Sequence, residues 1–73
     1  MSAKQIINDK ILDIINEDFK TSDDEIELYI KKNKKVINHC INDYIEEFGN
    51  EVDESTNINE DWIREYLGEY CVN

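Results

Sequence analysis

An all-α fold follows from three features of the sequence. Apolar residues recur at three- and four-residue steps along most of the chain, two stretches have the form of a helix capping box, and there is no proline to interrupt a helix. No segment alternates apolar and polar residues for long enough to make a strand. The expected architecture is a small three-helix bundle with a long central helix, in one domain spanning residues 1–73.

The first helix is expected over about residues 3–18. Its apolar positions, Ile6, Ile7, Ile11, Leu12, Ile14 and Ile15, with Phe19 just beyond, cover more than half of a helical wheel. A helix apolar over so wide an arc packs against two neighbours, or against one neighbour and a second chain. Lys20-Thr21 is a short connector, which predicts that the second helix folds back on the first as an antiparallel hairpin.

The central helix is expected over about residues 22–48. Ser22-Asp23-Asp24-Glu25 has the Ser-x-x-Glu form of a capping box, and Gly49 stands where a helix is closed by a residue free to turn left-handed. Between them Ile26, Tyr29, Ile30, Ile37, Cys40, Ile41, Tyr44, Ile45 and Phe48 keep the helical period. Asn33 falls near the middle of this apolar arc, where an amide needs a partner and can fix the register between helices. The exposed arc runs from acidic (Asp23, Asp24, Glu25, Glu27) through basic (Lys31, Lys32, Lys34, Lys35) to acidic again (Asp43, Glu46, Glu47).

A polar loop from Asn50 to Asn57 follows. The third helix is expected over about residues 57–71, because Asn57-Ile58-Asn59-Glu60 resembles a second capping box. Its stripe is Ile58, Trp62, Ile63, Tyr66, Leu67 and Tyr70; Gly68 inside it costs about 1 kcal/mol relative to alanine.

Composition narrows the function. Eighteen acidic and eight basic side chains give a formal net charge of -10, which repels nucleic-acid backbones and anionic membranes and favours a basic partner. Residues 41–73 hold ten of the acids and one base, Arg64. A mean hydropathy of -0.70 is low, but the regular apolar period argues for a folded chain. Two cysteines make no disulfide framework, no apolar run reaches the about 20 residues of a membrane span, and residues 1–5 lack a signal-peptide layout. The expected location is the cytoplasm, or the host cytoplasm for a phage-encoded protein.

Catalytic and metal chemistry find little purchase. His39 and Cys40 are neighbours on a helix and point about 100° apart, so a Cys-His pair would need Cys71 to meet His39 across the fold. His39 and Asp43 are four apart and within reach of each other. The cysteines lack the paired spacing of zinc modules. Asp53-x-Ser55-x-Asn57-x-Asn59-x-Asp61 starts like a calcium loop, but Ile58 replaces its glycine and Arg64 its bidentate glutamate. Nothing resembles a phosphate-binding glycine loop. No cofactor, metal or enzymatic activity is expected.

The acidic array remains. Evenly spaced carboxylates on helices imitate phosphates and can occupy a lysine- and arginine-rich groove. The expected function is a small non-enzymatic inhibitor or interaction protein binding a basic, nucleic-acid-binding surface through Glu51, Asp53, Glu54, Glu60, Asp61, Glu65 and Glu69. In size, acidity and lack of catalytic motifs the chain is similar to small phage-encoded inhibitors of host defence, such as anti-CRISPR and DNA-mimic proteins, a likeness of class from which no residue is carried over. The alternative is a helical dimerisation or regulatory subunit binding through apolar faces, with Asn33, Ile37 and Tyr44 at the seam of a homodimer.

Overall fold

The computed structural model describes residues 2–53 and 57–72. Those residues form four helices, α1 (Ala3–Asp18), α2 (Asp23–Lys32), α3 (Lys34–Phe48) and α4 (Glu60–Tyr70), and no strand. A radius of gyration of 11.9 Å is close to the about 11 Å of a compact chain of this length.

α1 starts at Ser2, whose side chain accepts the Gln5 N–H. It ends where Phe19 turns extended and caps Ile15 with its own N–H. Ile7, Ile11, Ile14 and Ile15 are buried, and the wide arc is used as its breadth demands: α1 packs against both α3 and α4.

The long central helix is two helices. Ser22 caps α2 by accepting the Glu25 N–H, while the Glu25 carboxylate takes the Thr21 hydroxyl instead of completing the reciprocal half of the box. α2 stops at Asn33 (φ -104°, ψ 19°), which also precedes the first residue of α3. The reason lies in the Asn33 side chain, which competes with the helix for partners. Its Nδ2 donates to the Tyr29 carbonyl at 3.0 Å and to the Val72 carbonyl at 2.7 Å, and its Oδ1 accepts the Val72 N–H at 2.9 Å. The buried amide is thereby satisfied, and the C-terminal segment is tied to the α2–α3 junction.

This break changes the packing partner. α1 packs chiefly against α3, and α2 meets the rest through Ile26 and through the Phe19–Tyr29 ring contact at 4.4 Å. α3 closes at Gly49, whose φ of 93° with ψ 167° is open only to a residue without a side chain.

α4 begins three residues later than the sequence suggests. Its cap is Asn59, not Asn57: Asn59 Oδ1 accepts the Trp62 N–H at 3.1 Å. The Asn59 N–H is held by the Tyr44 hydroxyl at 2.9 Å, which anchors the start of α4 to α3. Ile58, just before the cap, packs on the core that includes Ile63, the pair of positions joined in a hydrophobic staple. The core itself is dominated by isoleucine: Ile7, Ile11, Ile14, Ile15, Ile26, Ile37, Ile41 and Ile63, with Cys40, Tyr44 and Leu67.

Candidate functional site

α4 is divided lengthwise into three strips by its period. Ile63 and Leu67 face the core. Beside them Trp62, Tyr66 and Tyr70 recur every fourth residue, and beside those Asp61, Glu65 and Glu69 do the same. The three carboxylates are exposed and have no hydrogen bond or ion pair among the described residues.

The aromatic strip is continuous with α3. Phe48 lies 5.7 Å from Trp62 and Tyr44 5.3 Å from it, both edge-on; Trp62 stacks on Tyr66 at 5.3 Å, and Tyr66 meets Tyr70 at 4.7 Å. Tyr44 is buried, Trp62 and Tyr66 are half-buried, and Phe48 and Tyr70 are 48% and 54% exposed. The Tyr66 hydroxyl donates to Asp43 Oδ2 at 2.7 Å, so its ring cannot swing freely. Partial burial raises the Tyr66 phenol pKa above its ordinary value, with the Asp43 hydrogen bond adding to the shift.

Arg64, the one base of residues 41–73, is turned away from this face. It binds Asp18 at 2.9 Å, and Glu17 and Glu60 at 3.5 Å each. The bond to Asp18 raises the guanidinium pKa most. Glu60 also pairs with Lys10 at 3.3 Å. Of the seven acids singled out in the sequence, then, Asp61, Glu65 and Glu69 form one row, and Glu60 is drawn into the α1–α4 interface. Glu51 and Asp53 are exposed on the loop, and Glu54 lies outside the described residues.

The charges of α3 run against its dipole. Lys34 and Lys35 occupy its first turn, where the backbone is already positive, and Glu46 and Glu47 lie near its C-terminus, where it is negative. Each such charge costs about 0.3–1 kcal/mol at low salt. The arrangement adds to the helix dipole and gives α3 a basic start and an acidic end.

Asn33, Ile37 and Tyr44 are 2%, 3% and 3% exposed. All three are committed to the chain's own core. His39 is exposed and makes no hydrogen bond among the described residues. Cys40 is fully buried; burial first, then the charges of Cys71 and Asp43, push its thiol up to about 12. Such a thiol stays protonated at neutral pH and is a poor nucleophile. Among the described residues no three His, Cys, Asp or Glu side chains are grouped to hold a metal, and no helix is long and apolar enough to cross a membrane.

In the sequence the acids read as one array, and Trp62, Tyr66 and Tyr70 as part of the stripe of the third helix. That reading missed Asp43 and Phe48 as members of the α4 face. The signal was the four-residue spacing of both rows on α4, which sets acids beside rings; which α3 residues meet them depends on how α3 and α4 pack. Comparison of the chain with known protein families, curated proteins and solved structures finds no match to any of them.

Proposed function

We propose that this chain is a small non-enzymatic inhibitor or interaction protein of the phage anti-defence or DNA-mimic kind. It binds a basic protein surface, one that otherwise holds nucleic acid, in the cytoplasm of its host. The observation that supports this most is the row Asp61, Glu65 and Glu69, three exposed carboxylates on a helix whose neighbouring arginine neutralises other acids instead. The cost accepted by α3 at its acidic end supports it too, because a solubilising surface has no need to place Glu46 and Glu47 where the dipole is already negative.

Residues four apart on a helix recur about every 6 Å along the axis, against about 3.4 Å per phosphate on one DNA strand. The α4 row alone is therefore about half as dense as a strand. Asp43, Glu46, Glu47 and Glu51 add to the field, and the exposed rings add apolar contact.

The test is displacement. A host extract is bound to immobilised duplex DNA and washed with the pure protein at low and high salt. Release of a specific polypeptide at low salt, lost when Asp61, Glu65 and Glu69 are all changed to Lys, is the expected result. Equal release by the wild-type and reversed proteins removes the proposal.

One observation favours a second reading, a dimerising or regulatory subunit. Leu28 is 66% exposed beside a surface groove of about 500 Å³ lined by Phe19, Thr21, Glu25, Tyr29 and Lys32. That reading uses this groove as its seam, since Asn33, Ile37 and Tyr44 are enclosed. Sedimentation at micromolar concentration separates the two: a salt-tolerant dimer, broken by Leu28→Asp, belongs only to the second.

A further inference from the structure

We propose that the cleft on α4 lined by Trp62, Glu65, Tyr66, Glu69 and Tyr70 receives an arginine side chain of the basic partner. This deepens the acidic-face function proposed above and rests on it. The cleft measures about 230 Å³, below the about 300–1,000 Å³ typical of sites for small molecules, and suits a single side chain better.

Its walls point to a cation. Two carboxylates, Glu65 and Glu69, have no partner among the described residues and stand next to three rings. Ring faces are negative and attract a cation within about 6 Å of the ring centre. A nucleobase would also stack on such rings, but the phosphates beside it would meet Asp61, Glu65 and Glu69. The occupant is therefore a cationic side chain and not a nucleic acid.

Arginine fits better than lysine. A planar guanidinium continues an aromatic stack and offers paired N–H donors to a carboxylate, while an ammonium is a strongly hydrated point charge. Trp62 and Tyr66 already lie near parallel, with 27° between their planes, and so present a stacking surface. The rings are held before the partner arrives: Tyr66 by Asp43, and Trp62 by Tyr44 and Phe48. Prior ordering lowers the entropy lost on binding.

Trp62 is the only tryptophan, so its fluorescence reports on the cleft alone. The protein is titrated with two short peptides of equal length and charge, one carrying spaced arginines and the other lysines. The arginine peptide is expected to bind about tenfold more tightly, a preference of about 1.4 kcal/mol, and to shift Trp62 emission. Tyr70→Ala, at an exposed ring, should bring the two affinities close together, while Asp61→Lys should weaken both alike. Circular dichroism confirms that each variant keeps its helices. Equal salt-sensitive binding of both peptides with unchanged Trp62 emission overturns the arginine cleft and leaves the acidic face standing. Binding of neither peptide overturns both.

Discussion

Asn33 holds the C-terminal segment through a side chain that is 2% exposed, using both Nδ2 hydrogens and its Oδ1. Removing it leaves the Val72 N–H and C=O without their partner and opens a void at the junction. Asn33→Ala should lower unfolding free energy by about 1–3 kcal/mol, and the Val72 amide should lose its protection from hydrogen exchange. Unchanged stability and protection would show that the tie carries no weight. The need for a partner was legible in the sequence, because an amide falls on an apolar arc. The partner was not, because it lies 39 residues away in a segment with no pattern of its own.

Cys40 makes a second residue-scale prediction. Its thiol sits at about 12 in the folded chain against 9.0 ordinarily, so the folded state keeps a proton that the unfolded chain releases. Stability from the buried neutral thiol is full below pH 9 and falls as pH rises toward 12. Tyr29 and Tyr66, also raised, add a loss of the same sign above their ordinary value of 10.0. Between pH 9 and 10 the slope belongs mainly to Cys40 and approaches about 1.4 kcal/mol per pH unit. Denaturant melts of Cys40→Ala should show a lower but flatter stability over that window. A slope as steep as wild type would assign the alkaline loss elsewhere.

α3 carries the clearest conflict between an element and its charges. Lys34 and Lys35 at its start and Glu46 and Glu47 near its end all sit at the dipole end of their own sign, where they are disfavoured. Changing Glu46 and Glu47 together to Lys should raise stability by about 0.5–1.5 kcal/mol, seen as a higher thermal midpoint, while weakening binding to a basic partner. A lower midpoint would mean that these acids stabilise the fold and are not retained against it. The individual helices were legible because period and caps are local. The interruption of residues 22–48 was not, since no proline or glycine marks it and the cause is a tertiary contact. The start of α4 was misplaced because both Asn57 and Asn59 can cap, and the choice falls to Tyr44, on another helix.

At the scale of the molecule, the helices α1 to α4 around a small isoleucine core present one face on which an acid row and an aromatic row run side by side. The acids of this face were legible as a surplus, but their arrangement was only partly so. The spacing aligns Asp61, Glu65 and Glu69, whereas the diversion of Glu60 to Lys10 and Arg64 depends on α1 packing beside α4. Among the described residues, the lysines at the α2–α3 junction and the groove at Leu28 compete with this face for function. An amide NMR titration with the arginine peptide, or with the polypeptide displaced from DNA, locates the contact directly. The largest shifts should cluster on Asp61, Trp62, Glu65, Tyr66, Glu69 and Tyr70 and fade as salt is raised; shifts centred on Leu28 or on Lys31–Lys35, insensitive to salt, would contradict an acidic binding face on α4.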